Sequence, residues 1–253
     1  MPPTTTFAAA TDVGRVREQN EDAWTAVPGA GLYAVADGMG GHAAGEVASR
    51  LAIEALEEGV DGRAADTVAA AREALAEAVR GAARRIHEQA REHPERRGMG
   101  TTLTAMLLLP GGRGVVAHVG DSRAYSMRDE RLGRLTRDHT WVQARVDSGE
   151  LTEDEARRHP ASSVLTRALG ADGGAEPDLF EIEWRAGDVY LLCSDGLTAA
   201  VGEPELEAEL GRALREADDL EGAAGELVRE ANRRGGPDNV TVILVRPGER
   251  PPQ

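Results

Sequence analysis

Four aspartates stand at the edges of short apolar segments that lie far apart along the chain. Asp37, Asp121 and Asp195 each follow such a segment, and Asp238 precedes another. If these segments are strands of one sheet assembly, their ends can bring the four carboxylates together. Clustered carboxylates ionise cheaply only around a positive charge, and a hard divalent cation is the usual partner. The spacing therefore predicts a metal centre that activates water for hydrolysis.

The elements that must position these aspartates are short apolar runs and amphipathic helices. Helical periodicity begins near residue 43, covers 65–93, and returns in two segments between residues 206 and 228. The runs between 101 and 136 have the spacing of an antiparallel meander. Two stacked antiparallel sheets with helices on their outer faces satisfy this order, which predicts an α+β fold. The predicted strands are 7–14, two around the turn 28–31 with the second ending at Asp37, 101–109, 114–119, 124–128, 132–136, 179–184, 188–193 and 240–245.

Residues 140–169 form a polar, helical insertion between two sets of strands. Residues 152–155 read as a capping box, and His159-Pro160 ends the helix that follows it. The insertion is either a mobile flap beside the site or an ordinary surface excursion. With no linker in the sequence, we expect one domain over residues 1–246 and a disordered, proline-rich tail at 247–253.

The charge balance excludes several classes of partner. The chain has 29 basic and 44 acidic residues, for a formal net charge of -15, which opposes binding to nucleic acid or to an anionic membrane. No apolar stretch reaches the length of about 18–20 residues that crosses a bilayer. The single cysteine, Cys193, permits no internal disulfide. We therefore expect a cytoplasmic protein.

Two further segments carry groups that bind phosphate or metal. Arg17 precedes the adjacent carboxylates Glu21 and Asp22, and its guanidinium offers the bidentate fork that suits phosphate. In Asp37-Gly38, the glycine lets the backbone approach a ligand closely, so the Gly38 carbonyl is itself a candidate metal ligand. Either segment alone also fits a charged turn, and only their combination favours a site.

In order and context, six stretches resemble the metal-dependent serine/threonine protein phosphatases of the 2C type, most closely their bacterial branch. They run over nearly the whole chain. The resemblance implies an α-β-β-α four-layer sandwich, in which two stacked antiparallel sheets flanked by helical pairs hold a binuclear centre at one edge. The matching stretches are 12–22, 36–42, 100–102, 119–123, 191–197 and 236–241.

The resemblance also implies which residues hold the two core ions, Mn²⁺ or Mg²⁺. Asp37 would bridge both ions. Asp195 and Asp238 would complete the first site. The carbonyl of Gly38 would belong to the second site, and Glu21 would bind there directly or through water.

A third, weaker ion and the reaction itself follow from the same resemblance. Asp121 matches the bacterial ligand for the third ion, which it would share with Asp195. Arg17 matches the residue that holds the substrate phosphate, and Asp22 the residue that orients metal-bound water. A hydroxide bridging the core ions would then attack phosphorus directly, without a phosphoenzyme.

Two positions depart from the pattern of related enzymes. Eukaryotic relatives carry a histidine, proposed as the general acid, where this chain and the bacterial branch carry methionine, here Met39. A metal-bound water is then expected to protonate the leaving group, with His42 as the weaker alternative. Ser162 stands where bacterial relatives often carry arginine, which bears on flap contacts and phosphopeptide preference.

Alternative functions remain beside the main one. We expect a monomeric phosphatase for phosphoserine and phosphothreonine whose partners are phosphorylated proteins, including bacterial Ser/Thr kinases and their substrates. A non-catalytic phosphoprotein-binding module and a hydrolase of small phosphate esters are the alternatives. A cysteine-dependent phosphatase is excluded, because that chemistry needs arginine six residues after Cys193, where Ala199 stands. Cys193 is expected to pack inside its strand.

Overall fold

The computed structural model describes residues 3–40, 43–60, 67–170, 176–216 and 219–248. Within these residues the chain forms eleven strands and seven α-helices. The strands are β1 (Thr5–Asp12), β2 (Asp22–Val27), β3 (Leu32–Met39), β4 (Gly100–Thr101), β5 (Leu103–Leu109), β6 (Arg113–Val119), β7 (Arg123–Arg128), β8 (Arg131–Arg134), β9 (Asp178–Glu183), β10 (Val189–Cys193) and β11 (Val240–Pro247). The helices are α1 (Ala43–Val60), α2 (Val68–Glu92), α3 (Trp141–Asp147), α4 (Glu153–Arg158), α5 (Asp195–Ala200), α6 (Glu203–Glu216) and α7 (Leu220–Arg233).

The strands form two antiparallel sheets. The first sheet has the order β1-β11-β10-β7-β8, and the second has the order β2-β3-β5-β6-β9, with β4 paired to β3. The first sheet joins strands that are distant in sequence. Its strand β1 pairs along its whole length with β11, from Thr5↔Pro247 to Asp12↔Val240. The first and last strands are thus locked side by side, close to the loops that carry the predicted site.

Side-chain alternation along the strands separates three apolar layers. On β3, Leu32, Ala34 and Ala36 face α1 and α2, whereas Tyr33 and Val35 face the other sheet. The same alternation places one face of β10 and β11 against α5, α6 and α7. A period of two can bury both faces only when each sheet is covered on both sides. The predicted α-β-β-α four-layer sandwich is confirmed.

Capping side chains fix several helix starts. The Thr67 hydroxyl accepts a hydrogen bond from the Ala70 N–H at the start of α2. Thr152 and Glu155 form the predicted capping box of α4, which is confirmed.

Among the described residues, none of the helices combines the length and apolar character needed to cross a membrane.

The predicted antiparallel meander between residues 101 and 136 is wrong. β5 and β6 belong to the second sheet, but β7 and β8 belong to the first, so the chain changes sheets at Gly120. This connection is as short as a hairpin, but Gly120 has φ +109 and turns the chain out of its sheet. The predicted strand 101–109 is likewise two strands, β4 and β5.

One strand end also differs from the prediction. β3 continues through Asp37 to Met39, because Gly38 and Met39 pair with β4. Asp195 follows β10, as predicted, and opens helix α5. His42 and residues 249–253 of the predicted tail lie outside the described residues, and the domain boundary at 246 stays a prediction.

Candidate active site

Pairing of β2 with β3 brings two acidic residues face to face. Asp22 is the direct partner of Asp37 in the antiparallel register. Like charges directly opposite each other destabilise a sheet, so this pair needs compensation from outside the two strands. The main chain of Asp37 is held by its neighbours: its N–H donates to the Thr102 hydroxyl (2.9 Å) and its carbonyl accepts from the Thr102 N–H (2.9 Å).

The first sheet supplies hydroxyl groups that hold Asp22. Ser194 Oγ (2.8 Å) and Thr241 Oγ1 (2.7 Å) both donate to Asp22 Oδ2. Both residues are fully buried. The Thr241 N–H in turn donates to Ser194 Oγ at 2.9 Å, which orients the serine. These bonds join the two sheets at the acidic edge and leave Asp22 Oδ1 for another partner.

Two more aspartates reach this edge from the ends of neighbouring strands. Asp195 follows β10 and Asp238 precedes β11, and these strands are adjacent in the first sheet. The carboxyl of Asp195 lies within hydrogen-bonding reach of the Asp37 carboxyl on the opposite sheet. The close packing leaves no space for a side chain at Gly196, where a Cβ would stand 2.0 Å from the carbonyl oxygen of Asn239.

The loop before β2 carries Arg17 and is tied to β11 by one amide side chain. Asn239 Nδ2 donates to the carbonyls of Val13 and Gln19, both at 2.9 Å, and its Oδ1 accepts from the Glu21 N–H at 2.8 Å. Arg17 Nη2 donates to Asp238 Oδ2 at 2.7 Å. The Arg17 side chain is 50% exposed, so the guanidinium faces solvent at the mouth of the acidic cluster.

Glu21 and Gly38 meet at the start of helix α1. The Gly38 N–H donates to the carbonyl of Glu21 at 3.2 Å. A Cβ on Gly45, in the first turn of α1, would stand 2.9 Å from Glu21 Oε1, which places that carboxyl against the helix. A Cβ on Gly38 would stand 2.2 Å from the Gly45 carbonyl oxygen. The loop that carries Glu21, the end of β3 and the start of α1 are therefore in close contact, and positions 38 and 45 have no room for a side chain.

Asp121 approaches the cluster from the corner at which the chain changes sheets. It is buried, and the charges of Asp195 and Asp138 act on it. Asp138 is itself neutralised by Arg123, whose Nη2 donates to Asp138 Oδ2 at 2.6 Å. Asp121 is therefore the member of the cluster that lies nearest to a buried ion pair.

Burial and mutual repulsion raise the pKa values of four aspartates. Burial raises the pKa of Asp22 to about 7, against the lowering effect of its two hydroxyl partners. Burial, then the charge of Asp238, raises the pKa of Asp195 to about 6. Burial and the neighbouring aspartates also raise the pKa values of Asp37 and Asp121 well above the usual range. Carboxyls in this state gain most from a nearby cation.

The oxygen atoms of this cluster fit a hard divalent ion. Asp22 Oδ1 and Asp195 Oδ1 are buried and have no hydrogen-bond partner among the residues that the structure describes. Carboxylate oxygens of this kind are the ligands that Mg²⁺, Mn²⁺ and Ca²⁺ prefer. In the described part of the chain, however, no three acidic, histidine or cysteine side chains already stand at ligand spacing around one point. Asp22 and Asp37 are cross-strand partners and the Asp195 carboxyl lies within hydrogen-bonding reach of Asp37, so three of these carboxyls are neighbours at one edge.

A cavity of about 1070 Å³ adjoins the cluster, and Asp121 and Asp195 line it together with residues of the insertion. Its other walls come from β7, β8, α4 and the start of α6, and Ser162 of the insertion lines it as well. The insertion thus lies beside the site, as the flap interpretation requires.

Sequence reasoning did not assign a role to the side chains that support the aspartates. They are Ser194, Thr241, Asn239 and Thr102. Thr241 follows Asp238 by three residues and lies on the face of β11 that alternation directs toward Asp22. This spacing was the sequence signal that could have identified Thr241.

Cys193 is buried in the apolar layer under α5, which confirms its packing role, and burial raises the pKa of its thiol to about 12.

Comparisons with known proteins agree with this geometry. The family model described as Protein phosphatase 2C matches residues 14–231. The chain is 45% identical over 238 residues to the serine/threonine protein phosphatase PstP of Mycobacterium tuberculosis, covering 94% of this chain and 44% of that protein. It is 38% identical over 239 residues to the serine/threonine phosphatase stp of Listeria monocytogenes, covering 93% of each. The chain thus spans less than half the length of the mycobacterial relative.

Solved structures with similar folds lead to the same family. The crystal structure of M. tuberculosis PstP/Ppp superposes with a TM-score of 0.88 at 43% identity, over 97% of this chain and 99% of that one. The PstP catalytic domain in complex with two manganese ions gives a TM-score of 0.85 at 42% identity, over the same shares of the two chains.

Proposed function

The chain belongs to the protein phosphatase 2C family, and from this membership we propose that it hydrolyses phosphoserine and phosphothreonine in proteins with the help of divalent metal ions. The observation that carries the proposal is the meeting of buried carboxyls from both sheets beside an exposed guanidinium. Asp22 and Asp37 come from the second sheet, and Asp195 from the first. Arg17 stands at the opening. A binding module without catalysis has no use for so many buried, mutually repelling carboxyls.

The ligand set that we propose for the two core ions uses the side chains that reach across the sheets. Asp37 would bridge the two ions, and the charges of the neighbouring aspartates that act on its carboxyl support this central position. Asp195 and Asp238 would hold the first ion, and Glu21 with the Gly38 carbonyl the second. When bound, these ions supply a nucleophile from water near neutral pH and neutralise phosphate charge. Mn²⁺ is supported by the manganese-bound relative, and Mg²⁺ has the same ligand preferences.

A third, weaker ion is proposed between Asp121 and Asp195. Both residues line the cavity that residues of the insertion also line. The Arg123 charge opposes the rise in the pKa of Asp121 and also repels a cation. That nearby positive charge is a physical reason for weaker binding at this position.

Arg17 and Asp22 have separate roles in this proposal. Arg17 binds the substrate phosphate through its planar fork, exchanging Asp238 for phosphate oxygens. Asp22 keeps Oδ2 on the hydroxyls of Ser194 and Thr241, so its free Oδ1 is available to orient a water molecule. Met39 carries no proton to donate, and the leaving group is proposed to take its proton from water.

The substrates proposed here are phosphorylated proteins in the cytoplasm, including Ser/Thr kinases and their targets. Arg17 is exposed enough to meet a phosphate carried on a protein surface. The similar proteins of M. tuberculosis and L. monocytogenes are serine/threonine phosphatases, which supports this class of substrate.

The deciding experiment measures hydrolysis of a phosphoserine and phosphothreonine peptide panel, small phosphate metabolites and an aryl phosphate. Each is assayed after metal removal and after adding Mn²⁺ or Mg²⁺. We expect negligible turnover in chelator, recovery with Mn²⁺, and higher kcat/KM for phosphopeptides than for metabolites. Full activity in chelator would disprove metal dependence. Metabolite turnover above peptide turnover would favour a small-ester hydrolase, and binding of phosphopeptides without turnover a non-catalytic module.

A further inference from the structure

The corner before Asp121 has little freedom of its own. Gly120 has φ +109, and a Cβ there would stand 2.6 Å from Thr102 Cβ. The corner joins β6 of one sheet to β7 of the other, so neither ladder fixes it. On the other side of Asp121, the carbonyl of Ser122 accepts from Thr104 Oγ1 at 2.8 Å, so the direction of the Asp121 side chain depends further on what holds the backbone of Gly120.

One buried residue binds both polar groups of Gly120. The His139 N–H donates to the Gly120 carbonyl at 2.7 Å, and the Gly120 N–H donates to His139 Nδ1 at 3.0 Å. His139 is 6% exposed. A side chain and a main chain from the same residue thus hold the peptide units on either side of Gly120.

The Gly120 N–H also determines the tautomer of the His139 ring. Because Nδ1 accepts a hydrogen bond, the proton of the neutral imidazole must lie on Nε2. Nε2 stands 3.2 Å from Asp178 Oδ2, and Arg167 Nη2 contacts the same nitrogen. Asp178 is held by Arg167 Nη1 at 2.8 Å, and the face of the ring packs on His118 with centroids 4.7 Å apart. The ring is fixed on its two edges and on one face.

The same histidine lies at the base of the flap. It immediately precedes the flap at Thr140, and its carbonyl accepts from the Thr166 N–H at 2.8 Å. Arg167, at the returning end of the flap, contacts the ring as well. Both ends of the flap therefore meet at the residue that holds the Asp121 corner.

We propose that His139 is a positioning residue for divalent-cation binding by Asp121, acting through its Nδ1 acceptor on the Gly120 N–H. This inference rests on the proposed function, since Asp121 is there a ligand of the third ion. Without the acceptor, the Gly120 peptide loses its orientation and Asp121 is no longer held toward Asp195. The two core ions do not use Asp121, so the effect should be confined to the weakest ion.

A pair of substitutions separates the Nδ1 acceptor from the bulk of the ring. His139→Asn places an amide oxygen near the Nδ1 position, and His139→Gln places its amide near Nε2 and loses the bond to Gly120. Mn²⁺ binding is measured without substrate, by calorimetry and by electron paramagnetic resonance of the free ion. We expect His139→Gln to weaken the weakest Mn²⁺ about 10-fold or more, in the range seen when a supporting residue of a metal site is lost. His139→Asn should stay within about threefold of the unmodified chain.

Coupling to Asp121 supplies the second test. In an Asp121→Asn background, His139→Gln should cause no further loss of Mn²⁺ affinity, since both act on one ion. Asp178→Asn keeps the Nδ1 acceptor and should also leave the affinity unchanged. Equal losses in Asn and Gln variants, an additive effect with Asp121→Asn, or a loss in Asp178→Asn would overturn the proposal. If His139→Gln does not fold, His139→Asn and Asp178→Asn still decide it, since weakened binding in either is contradictory.

The unmodified chain separates this inference from the proposed function. If it binds no Mn²⁺ and hydrolyses no phosphate ester, the proposed function fails. If it hydrolyses phosphopeptides but binds only two ions, or binds three with His139→Gln unchanged, only the inference fails.

Discussion

At the scale of single residues, the charge of the carboxyl cluster is its dominant property. Asp37 lies opposite Asp22 and within reach of Asp195. Burial, then the charges of the neighbouring aspartates, raises the pKa of Asp37, and burial, then the charge of Asp238, raises the pKa of Asp195. Placing these carboxyls together lowers the stability of the fold, which indicates that the cluster serves function rather than structure. The cluster is therefore where function and stability oppose each other, and substitutions there should separate the two.

Asp195→Asn tests this opposition. Removing one buried charge should lower Mn²⁺-dependent kcat by at least about 100-fold, since losing even a residue that supports a metal ligand costs about 10- to 100-fold. The Tm of the metal-free protein at pH 8 should stay the same or rise, because a neutral amide replaces a repelled carboxylate. Asp129→Asn, on an exposed turn, is the matched control and should change neither quantity. Retained activity in Asp195→Asn would remove this residue from the metal centre.

Arg17→Ala tests the phosphate-binding role. Loss of hydrogen bonds to a charged group costs about 1.5–3 kcal/mol, so KM for a phosphopeptide should rise about 10-fold or more. The value of kcat should change much less, because the ions and Asp22 remain. Arg15→Ala removes a guanidinium from an exposed position of the same loop and controls for general charge. An unchanged KM in Arg17→Ala, or an equal rise in Arg15→Ala, would contradict the assignment.

At the scale of elements, the loop from Val13 to Glu21 decides where Arg17 stands. The loop has no ladder of its own and depends on Asn239 and on close backbone contact with β11. Gly14 has φ +85 and lies so close that a Cβ would be 2.3 Å from the carbonyl oxygen of Asp238. The positions of Arg17 and Asp238 are therefore coupled through the backbone.

Gly14→Ala should expose this coupling. Gly98 has nearly the same φ, +82, but its Cβ would meet nothing within 4 Å, so Gly98→Ala measures backbone strain alone. That strain is about 1–2 kcal/mol for an L-residue. Gly14→Ala should destabilise the protein more in urea unfolding and should also raise KM by displacing the loop. Equal destabilisation in the two variants, with unchanged KM, would show that the close contact is unimportant.

At the scale of the whole molecule, the cluster links metal binding to stability against pH. The pKa of Asp22 is about 7 in the folded chain, against about 3.9 for an unperturbed aspartate, so the folded state holds this proton more tightly. The resulting stability is present below about pH 4 and is lost as the pH rises toward 7. Asp195, with a pKa of about 6, acts in the same direction.

The metal-free protein should therefore lose stability between pH 4 and pH 7. The change in the pKa of Asp22 from about 3.9 to about 7 corresponds to about 4 kcal/mol, or on the order of 10 °C in Tm. Mn²⁺ at pH 7.5 should restore the Tm, since the ions neutralise the same carboxylates. Sodium chloride of equal ionic strength controls for screening of the net charge of -15. A metal-free Tm that rises over this range, or equal recovery with sodium chloride, would argue against the coupled cluster.

Local patterns in the sequence were enough to predict the layers and the main acidic positions. Alternation along β3, β10 and β11 and the helical periods of α2, α6 and α7 depend on residues a few positions apart. The order of the acidic motifs indicated the family before any coordinates. The roles of Arg17 in binding phosphate and of the acidic residues and Gly38 in binding metal stay predictions.

Only the tertiary structure decided which strands are neighbours and what holds the aspartates. The change of sheet at Gly120 depends on the packing of that corner against Thr102, which lies 18 positions earlier and which no local period encodes. The hydroxyls that hold Asp22 come from residues 172 and 219 positions away. Such contacts depend on how two sheets stack, and stacking is set by the sum of many apolar contacts over the whole chain.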